Sequence, residues 1–116
     1  MQRQNHKLDP YRNQVAELTH DGVANDYLFT TVTTEWDESR GPRWRRWVNP
    51  REAVLWEVAT VFPDGPTLWS DGLSDPADEF VGEVVRGRFL LGGVNFDVRW
   101  LSGREREAAK LRCGAH

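Results

Sequence analysis

The residues best suited to chemistry in this chain are two tryptophans and three arginines in the segment Gly41–Trp47, which a Gly-Pro dipeptide introduces. Tryptophan and arginine contribute much of the binding energy at protein interfaces. We therefore expect a partner-binding loop, whose predicted contact residues are Arg43, Trp44, Arg45, Arg46 and Trp47. A second interpretation stays open, in which both indoles lie on the domain's own sheet and the arginines extend to water.

Metal binding is the next chemistry to consider. The stretch Asp71–Glu79 holds four carboxylates, but their spacing does not match the alternating ligands of an EF-hand loop. A solvated turn followed by a helix start explains these acids. Cys113 and His116 could form half of a zinc site, yet only His6 and His20 remain to complete it. We expect no metal and no cofactor.

Catalytic patterns are weak throughout the sequence. The serines have turn or cap contexts without the glycines of a nucleophile elbow. Glu35 and Glu57 could pair across strands for glycoside-type chemistry, but a sequence does not supply their separation. The Gly92-Gly93 pair is not followed by the Lys-Ser/Thr of a phosphate loop. We therefore expect a protein without catalytic activity.

Composition indicates one domain. The chain has 116 residues, of which 39% are hydrophobic and 28% charged, as in ordinary globular proteins. The single cysteine and the absence of an apolar leader predict a cytoplasmic protein, or a virion protein if the chain is a phage structural component. Thirteen arginines against two lysines, with no isoleucine, are typical of GC-rich coding, as in a high-GC bacterium or its phage.

Charge is distributed unevenly along the chain, although the net charge is only −3. Residues 59–85 contain six acids and no base, whereas residues 86–116 contain seven bases and three acids. Such polarity favours a directional protein contact over general nucleic-acid binding, which usually requires a basic balance.

Strand patterns dominate the first two thirds of the sequence. Residues 1–13 are polar and predict a flexible N-terminal arm, which leaves residues 14–116 as the domain. Residues 14–19 and 27–36 predict a hairpin of two strands. Residues 54–62 alternate as a strand does, although Asn49-Pro50-Arg51-Glu52 resembles a helix start, and we favour the strand.

The remaining segments predict turns, a hairpin and a terminal helix. Thr67–Ser70 is expected to form a short strand that ends at Asp71-Gly72. Asp75 and Pro76 resemble the cap and first residue of a short helix. The runs 81–91 and 94–100 flank Gly92-Gly93 and predict a tight hairpin.

Residues 104–112 predict a C-terminal helix. Ser102 and Glu105 match a capping box. Leu101, Ala108 and Leu111 form a thin apolar stripe that is expected to dock on a sheet.

These elements predict an α+β fold: a twisted antiparallel sheet of about five strands with the C-terminal helix packed on it, or alternatively a small β-barrel plus helix. The core is expected to include Trp36, Trp56, Trp69 and Trp100. The expected function is protein–protein interaction or assembly, as in a virion component or a small phage inhibitor of a host enzyme, with a protein partner or self-association. The alternatives are single-stranded nucleic-acid binding and a small enzyme or ligand-binding barrel. We expect no membrane association.

Overall fold

The computed structural model describes residues 6–35 and 51–114, which form one sheet and three helical elements. In chain order these are a 3₁₀ helix (His6–Tyr11), β1 (Gln14–His20), β2 (Val23–Glu35), β3 (Arg51–Phe62), β4 (Gly65–Ser74), α1 (Glu79–Val85), β5 (Arg88–Leu91), β6 (Val94–Trp100) and α2 (Gly103–Arg112).

The six described strands form a single curled antiparallel sheet with the order β4-β3-β2-β1-β6-β5. The predicted α+β class with a C-terminal helix is therefore confirmed, and the strand number is six where about five were expected. Because β4 and β5 are the two edges of the sheet, it is open and not a closed barrel.

Alternation along β3 decides that residues 54–62 form a strand. Val54 and Val58 are fully buried, and Trp56 packs against the same core cluster. The predicted tight turn is also confirmed, since Gly92 and Gly93 have φ angles of 59° and 80° between β5 and β6. Positive φ at both positions defines the hairpin turn that fits strand twist and that glycine adopts without strain.

Three predictions between residues 67 and 91 are wrong. Strand β4 does not end at Asp71-Gly72 but continues to Ser74, because the pairing with β3 extends that far. The short helix α1 begins after Asp78 and not after Asp75. Residues 81–85 are helical and not part of a strand, with Val81 and Val84 both facing the core. Their spacing of three places them on one face of a helix.

The inner face of the sheet carries the main core and is covered by the 3₁₀ helix and α1. Leu8 and Tyr11 of the 3₁₀ helix have no solvent exposure. The Tyr11 hydroxyl donates a hydrogen bond to the carbonyl of Val81 in α1. These residues belong to the core. The prediction of a flexible arm over residues 1–13 is therefore wrong for residues 6–11, because the side chains of Leu8 and Tyr11 pack this segment against the sheet.

Tryptophans contribute less to the core than predicted. Trp56 and Trp100 are partly buried against the main cluster. Trp69 is 46% exposed, because it lies at the irregularity in the β3–β4 register and near the free edge of the sheet. Trp36 lies outside the described residues.

Helix α2 packs on the outer face, where Val15, Tyr27, Leu101 and Ala109 form a second, smaller cluster. The predicted stripe is partly wrong: Ala108 is exposed, and Leu111 is 82% exposed. Ser102 is the N-cap of α2, but its side chain makes no capping hydrogen bond. At the other end of the helix, Arg112 Nη1 donates to the Tyr27 hydroxyl over 2.6 Å.

Candidate functional site

The predicted contact residues Arg43, Trp44, Arg45, Arg46 and Trp47 lie outside the described residues. The structure does describe both ends of the connection that carries them. The backbones of Glu35 and Arg51 pair in register at the ends of β2 and β3. Residues 36–50 therefore join the ends of the two longest strands.

A network of ion pairs lies beside this end of the sheet. Arg12 donates to both carboxylate oxygens of Glu52, at 3.1 and 3.2 Å, and to Asp9 at 2.9 Å. The hydrogen bonds that Arg12 donates to Glu52 and, to a lesser extent, to Asp9 raise the pKa of Arg12 above its usual range. Two-pronged contacts of this kind hold a guanidinium group in a defined orientation. They fix the segment after the 3₁₀ helix to the start of β3.

The acids of the stretch Asp71–Glu79 have separate structural roles. The backbone N–H of Asp75 donates to Asp78 Oδ2, and that of Ala77 donates to Asp75 Oδ1, both over 3.0 Å. These bonds form the turn before α1, as expected for aspartate at such positions. Asp71 lies apart from them on β4, directly opposite Glu57 of β3.

The sequence left open whether Glu35 and Glu57 come close enough across strands for glycoside-type chemistry. Glu35 pairs with Arg51, whereas Glu57 pairs with Phe29, six positions further along the same strands. The two glutamates are therefore about 20 Å apart along the sheet and do not form a catalytic pair. Within residues 6–35 and 51–114, no three His, Cys, Asp or Glu side chains come together as metal ligands. Cys113 packs against the outer cluster, and burial raises its pKa.

A series of contacting polar side chains, which no sequence pattern indicated, crosses the four strands β1 to β4. Thr60 donates a hydrogen bond to Asp26, which is only 6% exposed, and Trp69 Nε1 donates to Thr60 Oγ1 over 2.7 Å. His20 Nε2 lies 3.9 Å from Asp26 Oδ2. A catalytic triad needs the imidazole between hydroxyl and carboxylate. Here the carboxylate of Asp26 lies between the hydroxyl and the imidazole. These contacts therefore link neighbouring strands and do not activate Thr60.

The outer face of β3 and β4 has a second arrangement that the sequence did not reveal. Its cross-strand pairs are Leu55 with Leu73, Glu57 with Asp71, and Ala59 with Leu68. We call these six residues the outer ladder. The two acids are flanked on both sides by apolar pairs. Helix α2 packs on β1, and the three leucines of the ladder stay exposed, whereas Ala59 is buried.

A groove adjoins the outer ladder on the side of α2. It encloses about 410 Å³, and its lining includes Val15, Phe29, Leu55, Glu57 and Lys110. This volume lies within the usual range for a bound small group or a large side chain. Lys110 Nζ is 3.9 Å from Glu107 on the same helix, so its charge already has a partner.

No protein-family model, curated protein or solved structure matches this chain. The fold defines a small single α+β domain. None of the helices in residues 6–35 and 51–114 combines the length and apolar character needed to span a membrane.

Proposed function

We propose that this protein is a non-enzymatic interaction or assembly protein. In this proposal it docks on a protein partner, or on another copy of itself, through Arg43, Trp44, Arg45, Arg46 and Trp47. Indole rings supply large apolar contact area at low conformational cost, and guanidinium groups supply directed contacts to carboxylates. The segment combines both in five consecutive positions.

One observation carries the proposal: β2 and β3 stay paired up to Glu35 and Arg51, the residues that bracket the connection. Paired antiparallel strands hold such residues about 5 Å apart. Both ends of the connection are thus fixed on the longest hairpin of the sheet. A segment tethered at both ends has less freedom to lose when it binds, and this lowers the free-energy cost of association.

The setting is part of the same proposal. A single cysteine and a polarised charge distribution fit a cytoplasmic protein, or a virion component if the chain is phage-encoded. The arginine-rich, lysine-poor composition supports a high-GC bacterial or phage source.

The test compares the wild type with a Trp44→Ala/Trp47→Ala variant as bait in a lysate of its source cells. We expect the variant to lose its partner while its circular dichroism and thermal unfolding stay unchanged. Trp69→Phe is the matched control, because Trp69 is an exposed indole outside the segment. Equal capture by wild type and double variant contradicts the proposal.

Single-stranded nucleic acid is distinguished in a second measurement. Bases that stack on Trp44 and Trp47 would quench tryptophan fluorescence at low salt, and the effect would fall steeply as salt rises. We expect no such quench. A salt-sensitive quench that the double variant lacks would assign the segment to nucleic acid instead.

A further inference from the structure

The outer ladder contains three leucines that the domain leaves exposed. Leu55, Leu68 and Leu73 are 38%, 55% and 46% exposed. All three project from the same face of two paired strands: Leu55 lies opposite Leu73, and Leu68 lies five residues before Leu73 on β4. Exposed leucines that cluster on one face of a sheet mark interaction sites more often than isolated exposed leucines do.

Two carboxylates with like charge lie in the middle of this surface. Glu57 and Asp71 are direct cross-strand neighbours, which places their Cβ atoms about 5 Å apart. Neither side chain forms a hydrogen bond or an ion pair with the described part of the chain. Like charges in this position destabilise a sheet unless a cation lies between them. The ladder is therefore suited to an arginine side chain surrounded by apolar groups.

The adjoining groove is suited to an aromatic ring. Phe29 and Leu55 provide apolar walls, and Glu57 belongs to both the groove and the ladder. An indole in the groove would lie next to a guanidinium group on the two carboxylates. The surface therefore matches a partner segment that carries arginine and tryptophan close together.

We propose that the outer ladder and its groove bind the Arg43–Trp47 segment of a second copy of this chain. The inference rests on the proposed function, since it assigns a partner to the same segment. Each copy both offers a segment and receives one, as in a two-fold symmetric dimer. The four indoles of such a dimer can bury about 600–1,000 Å², a large part of a standard interface.

Chain length favours a second copy over the chain's own segment. Glu57 lies six residues from Arg51 along β3, or about 20 Å. Arg43 lies eight residues from both Glu35 and Arg51 and can reach at most about 29 Å when the chain is fully extended. Contact within one chain would require both halves of the connection to stretch back over at least two thirds of that length, whereas a second copy has no such limit.

The experiment measures the dimer dissociation constant by sedimentation velocity, with two charge-reversed chains. One carries Arg43→Glu/Arg45→Glu/Arg46→Glu, and the other carries Glu57→Lys/Asp71→Lys. We expect the wild type to dimerise in the micromolar range and each reversed chain alone to dimerise at least about tenfold more weakly. Mixing the two chains should restore a one-to-one complex, because each segment then meets a face of opposite charge.

Matched controls separate charge at the site from charge in general. Arg88→Glu/Arg104→Glu reverses two exposed arginines elsewhere and should leave dimerisation unchanged. Glu57→Gln/Asp71→Asn removes the charges with little change in shape and should weaken the dimer as well. Circular dichroism of each variant confirms that it is folded.

The outcomes distinguish this inference from the proposed function. A wild type that stays monomeric overturns the dimer, but the lysate experiment with Trp44→Ala/Trp47→Ala still tests docking on another protein. Dimers that persist in both reversed chains also overturn the inference, as does a mixture that fails to associate. Restored association on mixing supports contact between copies and excludes contact within one chain.

Discussion

The indole of Trp56 lies directly over Gly72 of the neighbouring strand. A Cβ atom at position 72 would be 2.5 Å from Cζ2 of the ring. The ring is held there by a hydrogen bond from its Nε1 to Ser74 Oγ, over 3.1 Å, and by contacts with Phe80 and Phe89 at centroid distances of 5.4 and 5.7 Å. Position 72 of β4 therefore requires glycine because the Trp56 ring occupies the space of a side chain there, and not because the chain turns.

Gly72→Ala is expected to destabilise the protein by about 1–3 kcal/mol, because the added methyl group must displace a well-anchored ring. Urea unfolding measures the change. Gly82→Ala is the control, since the nearest atom to a Cβ there is 4.0 Å away and the site is helical. Alanine at position 82 should be neutral or stabilise by up to about 1 kcal/mol. Equal effects at both positions would contradict the packing of Trp56.

Leu8→Ala is expected to cost about 2–5 kcal/mol of unfolding free energy, because it leaves a cavity under the 3₁₀ helix. Leu8 has no exposed surface, whereas Leu111 is 82% exposed. Leu111→Ala therefore serves as the control and should change stability by less than about 0.5 kcal/mol. Thermal unfolding of both variants compares them directly. If the Leu8 variant were as stable as the control, the N-terminal residues would not belong to the core.

We expect the protein to lose stability at alkaline pH because the hydroxyl of Tyr11 is buried. Burial raises the pKa of Tyr11 to about 12, and only a backbone hydrogen bond at Val85 acts in the opposite direction. The unfolded chain releases this proton near pH 10, so the stabilising contribution is complete below pH 10 and is lost between about pH 10 and 12.

Tyr11→Phe tests this pH dependence. Below pH 10 the variant should be less stable by about 1 kcal/mol, because the hydrogen bond to the Val81 carbonyl is lost. Between pH 10 and 12 the difference should shrink, since only the wild type contains the titrating group at this position. Urea unfolding over that pH range gives both curves. Parallel curves would show that Tyr11 does not contribute to alkaline unfolding.

The sequence pattern alone predicted an element correctly where it fitted only one type of secondary structure. Strand β6 and the Gly92-Gly93 turn follow from alternation and from the need for positive φ. Helix α2 follows from its charge spacing, although the Ser102 side chain makes no cap bond. The strand prediction for Val81 and Val84 was wrong because β-branched residues favour strands. In the structure a helix forms instead, since it places both side chains on the face that packs against the core.

The candidate site was harder to predict because it depends on register. Glu57 faces Asp71 only because Trp69 adds a residue between the pairs Val58–Ser70 and Ala59–Leu68. A shift of one residue turns every side chain to the other face of the sheet. No sequence pattern specifies that irregularity. Likewise, Leu8 and Tyr11 stand among polar neighbours, and only the packing against α1 shows that they are buried.

The pairing of β1 with β6 limits how much of the sheet can form while the chain is being synthesised. Strands β1 to β4 follow one another in sequence and can pair as they are synthesised, but the second edge of β1 pairs only with β6, for example Thr19 with Asp97. Until residue 100 has left the exit tunnel, a half-built sheet displays that edge, with Ala16 and Leu18 uncovered by β6. Nascent chains of this protein are thus most prone to strand exchange and aggregation while β1 to β4 are paired and β6 is still missing from the sheet.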